Sequence, residues 1–250
     1  MTAQRRHIEV RRRTASYREA GSGIVAVMTA GLGLTSRFYE QSYDAFARAG
    51  IHLIVPDLPG WGDTPGPRTG LAPADTAAFL LDFADALHIR RAVWIGHSLG
   101  AQPVIHLAGR RPDIADAIIL VGPTGGPGRF RLIRQARGLA LEALRAPARV
   151  IGAVAREYLT TSPARYAGTW LRHSRDITSD RLYRIRCPTL ILAGDEDAVC
   201  SPAFVELLRH RIPRAEVEWV RGGSHALPRA HAAEFNRAVI AFIHRSRLPA

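Results

Sequence analysis

The chain has 250 residues, 47% of them hydrophobic, which is enough to bury one sizeable core, and it carries a formal net charge of +12. Its longest apolar runs, Ile24 to Ala30 and Ile114 to Val121, fall well short of the roughly 20 residues that a membrane-spanning helix requires. Cys187 and Cys200 stand apart without metal-type pairing, so neither a disulfide framework nor a zinc site is expected.

At the beginning of the chain, Arg5 and Arg6 suggest an export signal, but Ile8, Glu9, Val10 and Arg11 alternate like a strand where an apolar signal core should follow. The segment therefore reads as mature protein, and a cytoplasmic location fits. Short apolar runs at Ile24 to Met28, His52 to Val55, Val93 to Ile95 and Ile118 to Val121 predict buried strands. The stretches between them, Arg37 to Ala49, Ala72 to Leu87 and Leu99 to Arg111, place apolar residues three or four apart, as helices packed on a sheet do. Strands alternating with helices predict a largely parallel α/β sheet.

Residues Gly122 to Gly128 hold too many glycines and prolines for a helix or strand, and they predict a linker. From Phe130 to Tyr183 the spacing is helical, with breaks near Pro147 and Pro163. The strand and helix rhythm resumes at Thr189 to Ala193, Ala203 to Arg211, Val217 to Val220 and Ala230 to Arg245. The expected organisation is a core of residues 1–122 and 187–250 interrupted by a helical cap, residues 123–186.

All 34 basic residues are arginine, and thirteen of them lie between Pro123 and Arg186 against only Glu142, Glu157, Asp176 and Asp180. Such a basic cap could guide an anionic substrate, or it could be a solvated face. No helix-turn-helix, zinc-finger or RNA-binding signature accompanies the charge, so nucleic acid is not an expected partner.

The pentapeptide Gly96-His97-Ser98-Leu99-Gly100 matches G-x-S-x-G, directly after the strand ending at Ile95 and directly before a helix. That context exposes a serine hydroxyl above the sheet on a strained turn. Further along, Gly31-Leu32-Gly33 follows the first core strand, Asp57-Leu58-Pro59-Gly60-Trp61-Gly62 follows the next, Gly194-Asp195-Glu196-Asp197 follows Thr189 to Ala193, and Gly222-Gly223-Ser224-His225 follows Val217 to Val220.

Together these segments, in this order, resemble the α/β-hydrolase superfamily over nearly the whole chain. The resemblance implies a mostly parallel eight-stranded sheet with helices on both faces and a helical cap insertion. It implies Ser98 as nucleophile, Asp197 as acid and His225 as base, with the backbone N–H groups of Leu32 and Leu99 as the oxyanion hole. Ala30 stands where the family usually has His. Some relatives carry the acid after an earlier strand, but Gly122-Pro123-Thr124 offers no carboxylate there. The Asp57 turn is expected to be structural, and His97, His106 and His173 are expected to be packing residues.

The resemblance calls for no metal or organic cofactor. Serine rather than aspartate at position 98 favours acyl chemistry on a small-molecule ester, thioester or lactone. A carbon–carbon bond hydrolase, a cofactor-free haloperoxidase or a biosynthetic cyclase would use the same three residues, and a nonenzymatic binding protein is the alternative of another class. Phe130, Tyr158, Tyr166 and Trp170 are the cap aromatics that could line a pocket.

Overall fold

A computed structural model describes residues 3–126, 131–159, 161–176 and 178–246. Eight strands form one sheet: β1 (Gln4–Val10), β2 (Arg13–Ala20), β3 (Ile24–Thr29), β4 (Ile51–Pro56), β5 (Ala92–His97), β6 (Ala115–Val121), β7 (Thr189–Gly194) and β8 (Ala215–Val220). Their spatial order is β1-β2-β4-β3-β5-β6-β7-β8. The first two strands pair antiparallel, β2 pairs antiparallel with β4, and every pairing from β4 onward is parallel. The sheet is therefore mostly parallel, as the sequence predicts.

The β1–β2 hairpin corrects one detail. Arg11, expected in a strand, lies in the turn, where Arg11 and Arg12 both take positive φ, 46° and 65°. A tight hairpin turn of this kind usually recruits Asn-Gly, because a side chain crowds the left-handed region.

Because successive strand residues point to opposite faces, each central strand feeds two cores. On one face Val27, Trp94, Ile118 and Ile191 pack under α2 (Pro73–Ala86), α3 (Ala101–Arg110) and α7 (Pro202–Arg211), through Leu80, Val104 and Phe204 among others. On the other, Met28, Ile95, Ile119 and Leu192 pack under α1 (Glu40–Arg48), α8 (Leu227–Ala230) and α9 (Ala232–Ser246), through Phe46, Leu227, Phe235 and Phe242. Near-continuous apolar strands follow from this two-sided burial.

Between β6 and β7 the chain leaves the sheet for three helices, α4 (Arg131–Arg145), α5 (Ala148–Leu159) and α6 (Pro163–Ser174). Pro163 starts α6 at the first helical position, where a missing N–H costs nothing. The Arg165 guanidinium of α6 donates to the carbonyls of Gly60, at 2.7 Å, and Pro67, at 3.1 Å, and so holds the helix against the loop that follows β4. Within that loop Asp57 accepts from the Ser36 N–H at 2.7 Å, the structural role expected for it. The end of the predicted linker and Phe130 lie outside the described residues.

Candidate active site

The loops after β3, β5, β7 and β8 meet at the carboxyl ends of the parallel strands, the edge at which open α/β sheets bind their ligands. Ser98 sits at the tip of the turn from β5 towards α3 with φ of 55°. For a residue with a side chain such a conformation costs about 1 to 3 kcal/mol, and it persists only where its surroundings enforce it. The flanking glycines show how. A side-chain carbon at Gly96 would approach the Gly100 carbonyl oxygen to 2.5 Å, and one at Gly100 would approach the Thr29 oxygen to 2.5 Å. The turn is packed so closely against itself and β3 that neither position accepts a larger residue.

Ser98 Oγ lies 2.8 Å from His225 Nε2, and His225 Nδ1 lies 2.8 Å from Asp197 Oδ2. Asp197 uses its other oxygen, Oδ1, to accept from the backbone N–H groups of Val199 and Cys200, each at 2.8 Å. With Asp197 as a carboxylate, Nδ1 carries the proton and Nε2 is left to accept from the serine hydroxyl. The structure thus brings together the three side chains that the sequence singled out, from three loops spread over 127 residues of chain.

The electrostatics follow from burial and pairing. Burial alone would raise the Asp197 carboxyl, but the His225 ring and the Cys200 and Val199 amides outweigh it and hold the pKa below the ordinary value. Burial would likewise depress His225, yet the Asp197 carboxylate, with a contribution from Glu142, raises its pKa above the ordinary 6.5. An imidazole held in this way is a stronger proton acceptor than free imidazole.

Several residues of the site were not singled out from sequence. His97, expected to be a packing residue, is buried beside Ser98, and its pKa is depressed to about 3 by burial and by the neighbouring His225. It is neutral, and its two nitrogens are both engaged. Nδ1 lies 2.9 Å from the Tyr39 hydroxyl, which itself accepts from the Gly31 N–H at 3.2 Å, and Nε2 lies 3.2 Å from the His225 carbonyl. A carbonyl can only accept, so Nε2 carries the proton and Tyr39 donates to Nδ1. The ladder runs from the Gly31 loop to the backbone of His225. Adjacency to Ser98 was the only sequence signal for it.

A cavity of about 380 Å³ opens on Ser98 and His225. Leu32 and Leu99 both line it, next to the serine, as do Leu139, Val150, Ile151 and Val154 from α4 and α5. Of the cap aromatics expected near a pocket, Tyr158 and Trp170 reach it; Tyr166 instead packs edge-on to Trp61 and against Tyr158, its hydroxyl directed at the Gly33 carbonyl. Among the described residues no arginine belongs to the lining, whose carboxylate is Glu142. The described arginine side chains of the segment from Pro123 to Arg186 therefore lie outside the lining.

His106 and His173 lie outside this site. His106 Nε2 is 2.8 Å from Asp176, a contact between α3 and the segment just after α6, while burial depresses the pKa of His173 to about 4. Among the described residues there is no cluster of His, Cys, Asp and Glu that would hold a metal, and no helix long and apolar enough to cross a membrane.

A 2-hydroxy-6-oxononadienedioate/2-hydroxy-6-oxononatrienedioate hydrolase of Burkholderia vietnamiensis is 26% identical to the chain over 92% of it and 90% of that protein. Among solved structures, a bromoperoxidase from Bacillus anthracis superimposes with a TM-score of 0.85 at 20% identity, over 96% of this chain and 100% of the other. The enol-lactonase from Burkholderia xenovorans LB400 does so with 0.84 at 19%, again over 96% and 100%. The model of the alpha/beta hydrolase family matches residues 26–238, a span from β3 to within α9, and the chain belongs to that family of enzymes.

Proposed function

We propose that the chain is a serine hydrolase that cleaves a neutral, largely apolar small ester, thioester or lactone through an acyl-enzyme on Ser98. The observation that carries this reading is the continuous relay from Ser98 Oγ through His225 to Asp197, opening on an apolar cavity. Ser98 attacks the substrate carbonyl as His225 Nε2 takes its proton, and Asp197 supports the imidazolium. The imidazolium then protonates the leaving group. Water then attacks the acyl carbonyl as His225 takes its proton, and the imidazolium returns that proton to Ser98 Oγ as the acid leaves.

The backbone N–H groups of Leu32 and Leu99 are the donors proposed for the tetrahedral oxyanion, each contributing about 2.7 to 4 kcal/mol in sites of this kind. The three helices α4 to α6 act in this reading as a cap that supplies the apolar wall. The absence of arginine among the described lining residues favours the reading of the segment's charge as a solvated face over the reading that it guides an anionic ester. A buried carboxylate on the ligand would face Glu142 with no arginine among the described lining residues to pair with.

The likeness to the dioate hydrolase favours a second reading, cleavage of a carbon–carbon bond next to a ketone by the same residues. In that case too the lining suits an apolar chain rather than a second carboxylate.

The test is hydrolysis of p-nitrophenyl esters of increasing acyl length by the wild type and Ser98→Ala. The reading expects turnover by the wild type and a loss of about 10⁶ in kcat on substitution. Equal rates for the two proteins, or a wild type that neither hydrolyses these esters nor is labelled at Ser98 by a fluorophosphonate, would overturn it.

A further inference from the structure

His225 is held by more than its ring. Its backbone carbonyl accepts from His97 Nε2 at 3.2 Å, and its backbone N–H donates to Glu142 Oε2 at 3.1 Å. The second oxygen of the same carboxylate, Oε1, accepts from the Ala198 N–H at 3.0 Å, one residue beyond Asp197. Glu142 therefore bridges the loop that presents the base and the loop that presents the acid, and it does so from α4, a helix of the insertion.

One turn earlier on the same face of α4 stands Gly138, directly against the acid loop. A side-chain carbon there would come within 2.3 Å of the Ala198 carbonyl oxygen and 2.9 Å of the Val199 Cα. In the middle of a helix glycine costs about 1 kcal/mol relative to alanine. Here it permits the helix backbone to lie on the loop backbone, which brings the next turn, and Glu142 with it, within reach of both amides.

We propose that Glu142 is a positioning residue for the base: seated by Gly138, its carboxylate fixes the peptide of His225 and the loop of Asp197, so that the docking of α4 completes the catalytic geometry. This rests on the reading of Ser98, His225 and Asp197 as nucleophile, base and acid. The charged and titratable groups facing His225 are Asp197 from the loop after β7, the neutral His97 from β5, and Glu142 from α4. Two of these are acidic, and both favour the imidazolium. Removal of Glu142 therefore has a double consequence: the base loses a tether, and its pKa falls.

The experiment measures the second-order rate of Ser98 phosphonylation by a small fluorophosphonate across pH, for the wild type, Glu142→Gln and Gly138→Ala. Such a probe reports the nucleophile and base without filling the cavity. For Glu142→Gln, the plateau rate should fall about tenfold, as expected for a lost charge-assisted hydrogen bond at a group that must be aligned, and the midpoint of the acid limb should move to lower pH. Gly138→Ala keeps the carboxylate but lifts it away, and should change both quantities in the same directions.

Unfolding curves in urea report whether each variant is folded, and either one, folded, decides the question. A plateau and midpoint equal to the wild type overturn the inference. So does a lower plateau with an unmoved midpoint, since general loosening of the structure would do that. A folded wild type that is not labelled at Ser98 overturns the underlying reading as well, and only that result does so.

Discussion

His97→Ala tests the ladder beneath the site most directly. The substitution removes a fully buried ring and leaves the Tyr39 hydroxyl and the His225 carbonyl each without a partner from that side. At about 1 to 3 kcal/mol for each unsatisfied buried group, the protein should lose about 2 to 6 kcal/mol of stability at neutral to alkaline pH. The loss should also depend on pH, in a direction fixed by the depressed pKa. In the unfolded chain His97 binds a proton near pH 6.5, while in the folded protein it does so only near pH 3.

Between those values the unfolded state holds more protons, so the wild type loses stability as pH falls, at up to about 1.4 kcal/mol per pH unit. The variant lacks that slope. Its deficit relative to the wild type should therefore be full at about pH 8 and smaller by about 2 kcal/mol at about pH 5. Urea unfolding of the two proteins at both pH values measures this, and the other titrating groups largely cancel in the difference. A deficit that stays constant, or grows on acidification, would refute the account of His97 as a neutral, doubly bonded strut.

Two further outcomes follow from the site. Because the paired His225 must be neutral to accept the serine proton, and its pKa lies above 6.5, kcat/KM for an activated ester should already be declining as pH falls through a midpoint above that value. A profile flat down to about pH 5 would show that His225 is not the base. Val154→Trp, on the α5 wall of the cavity, should lower kcat/KM for long acyl chains far more than for acetate esters, measured across a p-nitrophenyl series; a uniform reduction would place the acyl chain elsewhere.

The parallel half of the sheet was legible because strands such as β5 and β6 are buried on both faces and therefore apolar at nearly every position. The β1–β2 hairpin was only partly legible. β1 is an edge strand exposed along most of its length, and its turn is made by Arg11 and Arg12 rather than by the residues that announce such turns. In the site, Ser98 could be read because the geometry of its turn demands glycine on both sides, a constraint written into five consecutive residues. Glu142 could not. Its partners lie 56 and 83 residues away, and its role depends on how α4 docks rather than on any local pattern. Gly138 was the available clue, a helix-weakening residue inside an otherwise good helix. The arginine-rich composition left an anionic ligand and a solvated face both open because composition has no direction: it counts charges without saying which side of a helix carries them.

The order of the strands also has a consequence for synthesis. Chain growth delivers β5 and Ser98 early, at the centre of the sheet, whereas the His225 loop follows β8, the outermost strand on that side. A nascent chain that has folded as far as β6 presents the serine on its strained turn but has neither the acid nor the base beside it. On the proposed reading, the hydroxyl stays an ordinary alcohol until β7 and β8 have added to the sheet edge. On the proposed reading of Ser98, a chain interrupted before β8 lacks the base that would activate its serine.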